Sequence, residues 1–597
     1  MLVVPLLVAL FVLRDPHWLA LHDLVQIEMR VRDVSGGHPP LLGLGGRIDG
    51  HGQTGSHPGP VSFYALWPVY QLLGADGWAL QAAAVTLVAV ASGLAVWIAH
   101  RRGGLPFALA ATGVLALLLR GYGAELLSSA WNPHAPVVWW IVFVLAVWSV
   151  LGDDVRLLPV AAFAGVYCAQ THLPYVVPVA GLGALTAAVL ATRVWRGRRA
   201  EPVDGDDDPA GGPGPAAVAR RGDDAAGRRR VLVWGGIAAG ILVVLLAPPA
   251  IEQSTNSPGN VTIIVESFRH PTQERVSKGE ALDVWLEHLD LAALARRDTN
   301  DVTSTLDKRL RLGARLPGLL LLAVWAGAAA VAWRRRDGAL LRLHLVLAVA
   351  EALTLLAVSR ILGLVWPYLV FSAWGTTALV VLAVGWTFLS RPAAAPTTGP
   401  ADVQSQTAGP DDEPGTAPAP AAGPSAAPAG ATVAPLRAPR PMLAGLAAAT
   451  AVVSVAFTVD SAHTEMFDAE LATAIDTLSG ATAQRLAEDP AGCGDDCSYL
   501  VTFADPVHLV SPVFGLLLEL EKRGYDVGAD AEREVAVRSH RVIDLEDADA
   551  VIELAVGDMA IAGWRDRPGA EEIDRADPPG GEAPLAVFLV EPDAFER

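Results

Sequence analysis

The chain has 597 residues, of which 52% are hydrophobic and 18% charged, with a mean hydropathy of +0.38 and a formal net charge of −19. Its apolar residues fall in long runs, which excludes an ordinary soluble protein and indicates a polytopic membrane protein. The sequence has neither a G-x-x-x-x-G-K-[ST] loop nor a strand-anchored G-x-G-x-x-G. An ATP-driven pump and a nucleotide-sugar donor are therefore disfavoured.

Eleven segments are candidate membrane-spanning helices, because one span takes about 20 mostly apolar residues. In chain order they are 1–13, 77–99, 105–119, 136–151, 157–168, 173–195, 231–246, 317–333, 340–358, 364–389 and 442–457. Segment 1–13 is short for a span. It has no basic start and no small-residue cleavage site after it, so we interpret it as a first span and not as a secretory signal.

Short basic clusters predict the orientation, because Lys and Arg near the ends of spans stay on the cytoplasmic side. The clusters lie at 101–102, 196–199, 228–230 and 334–336. All four share one side only if segment 61–73 does not span, so we predict an interfacial or re-entrant helix there, on the outer surface. The N-terminus is then cytoplasmic, and the outer loops 14–75 and 248–316 and the C-terminus lie outside the plasma membrane.

Two segments, 201–227 and 391–440, are rich in residues such as Gly, Pro and Ala and cannot bury a core. We predict that both are disordered cytoplasmic linkers. The second linker separates a membrane region, 1–390, from a last span at 441–459.

Residues 460–597 have the patterning of a globular fold. The stretches SYLVTF, AVIELAV and APLAVFLV predict strands, and VSPVFGLLLELEKRG predicts an amphipathic helix that ends at glycine. With 31 acidic and 10 basic residues, this part holds the acidity of the chain. Such charge favours a carbohydrate or protein contact, or solubility alone, over nucleic acid or an anionic membrane surface. We expect a mainly α protein, a polytopic membrane helix bundle of about eleven spans, with a small C-terminal extracytoplasmic α/β domain.

The three cysteines are too few for a disulfide framework. Cys168 lies in a predicted span and is expected to be a small buried hydrophobe. Cys493 and Cys497 lie in the predicted outer domain, where a bridge is permitted and would stabilise the fold by about 2 kcal/mol. A zinc site is the weaker interpretation, because no second Cys/His pair accompanies them.

Acidic residues in HDLVQIEMRVRDV, in the first outer loop, are candidates for chemistry. On a helix, Asp23 and Glu28 point about 140° apart, with Asp33 offset again, so their spacing alone does not make a paired-carboxylate site. On spacing alone, the favoured alternative is the solvated face of a surface helix.

A series of motifs favours a catalytic role for these acids over a solvated helix face. An Asp just outside the first span is followed by IEMRVRDV, PPLLGLGGRIDG and HPGPVSFYALWPVY, and later by WNP at 131–133 and QTHLPY at 170–175. Their order and topology over residues 1–389 resemble the integral-membrane glycosyltransferases of the GT-C superfamily, with the nearest likeness to bacterial, actinobacterial-type members. A compact Ser-Arg-aromatic-Gly turn is expected before HPGP, and GGRIDGHGQTG is longer, which leaves the role of Arg47 open.

The resemblance implies transfer of a hexosyl or pentosyl group, with inversion, from a polyprenyl-phosphate donor to a cell-envelope glycan, lipid or protein on the outer face. It implies Asp23 as the base that deprotonates the acceptor, with Glu28 as the alternative. A hydroxyl attacks C1 poorly unless a carboxylate takes its proton, and inversion needs the base opposite the leaving phosphate. A divalent metal ion stays open, with Asp23, Glu28 and His57 as ligands only if the fold brings them together.

The departing phosphate needs positive charge, for which the planar fork of Arg is best suited. The residues expected to bind donor or acceptor are Arg47, His57, Trp131, Asn132, Gln170, His172 and Arg360. In the second outer loop, the residues able to contact sugar or phosphate are Glu252, His270 and Arg275. Structural alternatives are snorkelling for Arg360, a plain loop-to-helix junction at His57, an interfacial anchor at Trp131 and a structural hydrogen bond for Gln170.

Two other functions stay open. A transporter or flippase of lipid-linked sugars would share the spans and the phosphate-binding residues but would need no base, so replacing Asp23 would distinguish it. A receptor or scaffold would use the membrane region only to present the acidic outer domain. A tail-deleted chain that still transferred sugar would exclude that function.

Overall fold

The structure is a computed structural model that describes residues 1–15, 18–199, 215–296, 315–389, 440–466, 468–488, 497–504, 512–579 and 583–595. Residues 201–214 and 391–439 of the two predicted linkers lie outside these ranges, as does Cys493. Helices predominate in the described residues, which also form a two-stranded and a five-stranded sheet.

Two short helices begin the chain. α1 (Val4–Val12) has nine residues, so the helix predicted as a first span is about 14 Å long and too short to cross a bilayer. α2 (His22–Asp33) contains both candidate acids. Its buried residues do not form a single stripe: Val25 and Met29 pack with the C-terminal part of the chain, whereas Ile27 and Val31 pack with helices of the membrane region.

A hairpin follows, formed by β1 (Gly45–Gly50) and β2 (Gln53–Ser56). Its two-residue turn places His51 and Gly52 at φ values of 54° and 75°, as a type I′ turn requires. The glycine-rich sequence GGRIDGHGQTG therefore forms this hairpin, which the sequence did not lead us to predict. α3 (Val61–Leu72) comes next and, with 12 residues, is too short to span, in agreement with the interfacial helix predicted at 61–73.

The helices that follow are, in chain order, α4 (Gly77–Ser128), α5 (Val137–Leu151), α6 (Leu158–Thr171), α7 (Val176–Arg199), α8 (Pro215–Thr255), α9 (Asn260–Arg269), α10 (Lys278–Glu287), α11 (Leu291–Arg296), α12 (Arg315–Arg334), α13 (Gly338–Val358), α14 (Phe371–Leu389) and α15 (Arg440–Ser461). In the described part of the chain, seven helices are long and apolar enough to cross a membrane. These seven are α4, α7, α8, α12, α13, α14 and α15. They make the chain a polytopic membrane protein.

The predicted count of eleven spans is not confirmed, although each predicted segment overlaps a helix. Predicted spans 77–99 and 105–119 belong to the 52-residue α4, which is interrupted at Gly104 and Gly123, where φ is 66° and 83°. Both conformations favour glycine. α5 and α6 are apolar but shorter, with 15 and 14 residues. α5 is buried along its whole length, as a central helix of a bundle should be.

Two predicted boundaries around α8 are wrong. Residues 215–227, predicted as disordered linker, are the first turns of α8, where Ala and Arg favour helix. The connection predicted as a second outer loop from 248 begins after Thr255, because α8 continues through Pro248 and Pro249. Proline is tolerated in such helices when neighbouring groups satisfy the backbone acceptors that it frees.

After α15 the chain forms α16 (Ala469–Glu488), β3 (Ser498–Ala504), α17 (Pro512–Lys522), β4 (Asp526–Gly528), α18 (Glu534–Val537), β5 (Ala550–Val556), α19 (Asp558–Arg565), β6 (Ala570–Ala576), β7 (Leu585–Val590) and α20 (Pro592–Phe595). The sheet order is β4-β3-β5-β7-β6; β3 is parallel to β4 and β5, and β7 is antiparallel to β5 and β6. The predicted strands and helix are present as β3, β5, β7 and α17. That residues 460–597 are a separate α/β domain stays a prediction.

The C-terminal sheet and its helices share an apolar core with the beginning of the chain. Leu21, Val25 and Met29 belong to the same buried cluster as Ile475 and Leu517. Complete burial of such a side chain stabilises by roughly 1.5–3 kcal/mol. The C-terminal part is therefore packed directly against α2.

Candidate active site

Asp23 lies in the first turn of α2, half-buried, where the helix dipole favours a negative charge. Its Oδ2 accepts a hydrogen bond from the indole Nε1 of Trp131 at 2.8 Å. Within the described ranges, Trp131 is its hydrogen-bond partner, which leaves Oδ1 available to a substrate hydroxyl. A carboxylate with one oxygen held and the other free is the arrangement that a positioned general base needs.

Aromatic and histidine rings from three interhelical connections surround Trp131. The Trp131 ring lies 4.8 Å from that of His134 and 5.0 Å from that of Tyr368, both edge-on. Tyr368 lies 6.4 Å from Trp366 and 6.3 Å from His172. The connections α4–α5, α6–α7 and α13–α14 thus meet at one end of the bundle, beside the start of α2.

Arg47 adds a positive charge to this cluster. The guanidinium carbon lies 5.4 Å from the ring centroid of Trp366, and the side chain is exposed at β1. Both Arg47 and Asp23 act electrostatically on Tyr368, so the cation and the carboxylate both lie near this phenol. Within the described residues, Arg47 has no carboxylate at ion-pair distance, so its charge is available to an anion.

His57 and His172 form the next part of the cluster, with ring centroids 5.2 Å apart. The backbone N–H of Leu173 donates to His57 Nδ1 at 3.1 Å, so the proton of the neutral ring is assigned to Nε2. Burial lowers the pKa of His57 to about 4. Burial, followed by the neighbouring His57 and His134, lowers the pKa of His172 well below its ordinary value. Both rings are therefore neutral near pH 7.

His134, Trp366 and Tyr368 are members of the cluster that the sequence did not lead us to predict. His134 is buried against Phe371, and neither of its ring nitrogens has a hydrogen-bond partner in the described structure. A signal existed for His134, which follows WNP directly in the same turn. For Trp366 and Tyr368 the signal was the sequence WPY, two aromatic residues around a proline at the predicted outer end of a span.

Gln170 has the structural role that the sequence left as its alternative. Its Nε2 donates to the carbonyl of Leu245 at 2.7 Å, and its Oε1 accepts from the backbone of Val61 at 3.3 Å. A Cβ at Gly59 would lie 2.4 Å from this side chain, which explains the glycine of HPGP. Asn132 is buried in the turn beside Trp131.

Glu28 is not in the cluster. It is fully buried, and its Oε1 accepts a hydrogen bond from the Tyr70 hydroxyl at 2.8 Å and pairs with Lys522 Nζ at 2.7 Å. Asp23 and Glu28 therefore point to different neighbours, as their helical spacing predicts. The ion pair engages Glu28 in a structural contact and makes it the weaker candidate for a base.

Arg360 is exposed in the connection after α13. Its neighbour Ile361 pairs with the connection between α9 and α10, where Val276 N–H donates to Ile361 O at 3.0 Å. In the part of the chain that the structure describes, no contact joins Arg360 to the cluster around Asp23. The exposed position fits the snorkelling alternative better than a role beside Asp23.

Of the residues predicted to lie in the second outer loop, Glu252 is in the last turns of α8, is buried and accepts hydrogen bonds from the backbone N–H of Asn260 at 3.1 and 3.2 Å, which is a structural role. Arg275 donates to the carbonyl of Phe268, and His270 is exposed. Among the described residues, no group of three or more His, Cys, Asp and Glu side chains could hold a metal ion. The ligand set of Asp23, Glu28 and His57 is not brought together.

The fold and the cluster define a polytopic membrane protein with an acid, a cation and neutral histidines at one end of its helix bundle. No family model and no curated protein matches the sequence. The fold is similar to that of ArnT from Cupriavidus metallidurans bound to undecaprenyl phosphate, with a TM-score of 0.50 and 12% identity over 98% of this chain and 96% of that chain. For ArnT in the apo state the TM-score is 0.43, at 14% identity over 98% and 97% of the two chains. At this identity the likeness shows the fold alone, so the chain is a membrane protein with an ArnT-like fold.

Proposed function

We propose that the chain is an inverting glycosyltransferase that moves a sugar from a polyprenyl-phosphate donor to a cell-envelope acceptor on the outer face of the membrane. One observation carries the proposal: the free oxygen of Asp23 lies in the same cluster as the unpaired Arg47. An ArnT-like fold supports it, because the solved ArnT structure holds a polyprenyl phosphate. The GT-C likeness of the motifs points to the same chemistry.

In the proposed reaction, the acceptor hydroxyl donates a hydrogen bond to Oδ1 of Asp23. Its oxygen attacks C1 of the sugar as the C1–O bond to phosphate breaks, and the bonding electrons leave with the phosphate. The proton goes to Asp23 as the new glycosidic bond forms. The products are the glycosylated acceptor and the polyprenyl phosphate.

Arg47 is proposed to bind the phosphate of the donor. Trp366 holds the Arg47 guanidinium by a cation–π contact, which does not neutralise its positive charge. His57 is neutral and presents an Nε2–H, so it is suited to donate a hydrogen bond to sugar or phosphate without adding charge. Trp131 holds the base and offers an aromatic face to a sugar ring.

Asp23→Asn tests the proposal. The variant keeps the size of the side chain and the acceptor for Trp131 but cannot take a proton. In proteoliposomes supplied with a competent polyprenyl-phosphate sugar, we expect transfer to fall by roughly 100-fold or more with donor affinity unchanged. The matched control is Asp49→Asn, the same change at an exposed position of β1, which should transfer normally. Near wild-type transfer by Asp23→Asn would remove Asp23 as the base.

The same variant separates the alternatives. A flippase needs no general base, so Asp23→Asn would still move lipid-linked sugar across the bilayer. For a receptor or scaffold, both the wild type and the variant would lack transferase activity. Deletion of the tail is not a clean test, because it would expose Val25 and Met29 of α2. The sugar and the acceptor would be identified by mass spectrometry of lipid-linked and envelope glycans in a deletion strain.

The outer orientation of residues 460–597 and the Cys493–Cys497 bridge belong to this proposal. Cys497 is buried where β3 begins, and Cys493 lies outside the described residues. The bridge therefore stays a prediction.

A further inference from the structure

We infer that the C-terminal part of the chain holds α2 in the orientation that directs Asp23 towards the cluster, with Lys522 and Arg541 as positioning residues. This inference rests on the proposed role of Asp23 as the base. It assigns the C-terminal part a task in the reaction that requires no contact with the substrate.

The first contact is a buried ion pair in the middle of α2. Lys522, at the end of α17, lies 2.7 Å from both Glu28 and Glu519. Attraction by Glu28 and Glu519 outweighs burial and raises the pKa of Lys522, so the pair stays ionised. Tyr70 of α3 donates to the same oxygen of Glu28, so three elements meet at this carboxylate.

The second contact is at the end of α2. Arg541 donates to both oxygens of Asp33, with distances of 2.7 and 3.1 Å. Burial opposes ionisation of Asp33, but hydrogen bonds from His540 and Arg541 outweigh it and lower its pKa to about 2. A planar guanidinium that binds both oxygens of a carboxylate restricts direction as well as distance. Glu521 also pairs with Arg541 and ties it to the end of α17.

Two further contacts join α2 to the same part of the chain. Arg30 donates to the carbonyls of Val535 and Ala536 at 2.7 and 3.0 Å. His22, the first residue of α2, lies 2.5 Å from Asp468, which precedes α16. The helix is therefore held at its first residue, in its middle and at its last residue.

The direction of these contacts is the reason for the inference. Residues five apart on a helix differ by about 140°, so Asp23, Glu28 and Asp33 point in three directions spread around the axis of α2. Lys522 binds Glu28 and Arg541 binds Asp33, so two of the three sides of α2 are fixed by the C-terminal part. The remaining side carries Asp23, which accepts a hydrogen bond from Trp131. Rotation or displacement of α2 would move Asp23 away from the reacting hydroxyl, and a shift of about 1 Å can lower a rate by about 100-fold.

The test loosens α2 without leaving Glu28 or Lys522 as a buried unpaired charge, and Glu519, which also loses Lys522, keeps its ion pair with Arg523 at 3.4 Å. The double variant Glu28→Gln/Lys522→Met removes both members of the buried pair, a change that is often tolerated in stability. We expect kcat to fall by roughly 10- to 100-fold with the KM for donor within about twofold of wild type. We also expect faster amide hydrogen exchange across residues 22–33. If the double variant does not fold, the single variant Arg541→Lys replaces it, because lysine keeps the charge but loses the planar fork. It should also lower kcat and speed amide exchange across residues 22–33.

The matched control removes an ion pair of the C-terminal part that does not touch α2. Arg485→Gln/Glu571→Gln breaks the 2.8 Å contact between α16 and β6 and should leave both kcat and the exchange of residues 22–33 unchanged. The inference is overturned if the double variant and Arg541→Lys keep wild-type kcat and exchange. It is also overturned if kcat, KM and exchange over the whole chain change together, because that is a general loss of structure. If Asp23→Asn keeps its turnover, the proposed function fails, and the exchange data still report whether α2 is held.

Discussion

Three acidic residues on one short helix have different roles because their surroundings differ. Glu28 and Asp33 each meet a cation of the C-terminal part, whereas Asp23 meets the N–H of an indole. A neutral donor holds a carboxylate in place without neutralising its charge. This difference is why we propose Asp23, and not Glu28 or Asp33, as the base.

Arg47 gives the first prediction at this scale. Arg47→Ala should weaken donor binding by roughly 10- to 100-fold, because a hydrogen bond to a charged group is worth about 1.5–3 kcal/mol. The donor affinity of Arg47→Lys should lie between those of the wild type and Arg47→Ala, since lysine keeps the charge but not the planar fork. The measurement is the donor Kd or KM in proteoliposomes. Arg567→Lys, at a guanidinium 4.5 Å from the Trp564 ring, is the control and should bind donor normally. Unchanged donor affinity in Arg47→Ala would show that another cation binds the phosphate.

His57 gives a prediction on pH. Its pKa is about 4 in the folded protein and about 6.5 in an unfolded chain, so between these values the unfolded state binds more protons. Stability should therefore fall as the pH is lowered through this window, by about 1–2 kcal/mol from this residue at pH 5 relative to pH 7. His57→Asn keeps an acceptor for Leu173 but does not titrate, so thermal unfolding in detergent should lose less stability over this range. An unchanged pH dependence would contradict the assignment.

At the scale of the elements, the turn HPGP joins β2 to α3 through a close contact with α6. Gly59 approaches Gln170 so closely that a Cβ has no room, and the Gln170 side chain is itself held by Leu245 and Val61. The close approach, and not an unusual backbone angle, accounts for the glycine. The turn places His57 beside His172.

Gly59→Ala should therefore destabilise the protein by about 1–3 kcal/mol through overpacking. Gly93→Ala in α4 is the matched control, because a Cβ there meets nothing within 4 Å and alanine favours helix. Thermal unfolding in detergent should show a lower midpoint for Gly59→Ala and an equal or higher midpoint for Gly93→Ala. Equal midpoints for the two variants would mean that the turn relaxes without cost.

At the scale of the whole molecule, the connections that form the cluster must share one face of the membrane. The basic clusters predict that this face is the outer one and that residues 201–227 are cytoplasmic. This orientation stays a prediction, made because it places every basic cluster on the cytoplasmic side.

Cysteine labelling in intact cells checks this orientation in a chain whose native cysteines are replaced. A cysteine at Asp49, exposed in β1, should react with a membrane-impermeant maleimide, whereas a cysteine at Gly211 should react only after the cells are opened. Labelling at Gly211 from outside would overturn the orientation.

Local patterns predicted much of the fold and part of the site. Strands β3, β5 and β7 were predictable because they are apolar and buried, whereas β4 has three residues and β6 is the polar edge strand AEEIDRA. Asp23, Arg47, Trp131, His57 and His172 were identified through motifs and do lie together. His134, Trp366 and Tyr368 were missed because their signals, the position after WNP and the sequence WPY, are local and not periodic.

The sequence by itself determined that this is a polytopic membrane protein and roughly where its long apolar helices lie, because the length of an apolar run reflects the thickness of the bilayer. Only the tertiary structure decided which acids of α2 form ion pairs with the C-terminal part and which one, Asp23, does not. Glu28 and Lys522 are far apart in the chain, and so are Asp33 and Arg541. Their pairing depends on how the C-terminal sheet and its helices pack against α2, which no local spacing of residues encodes.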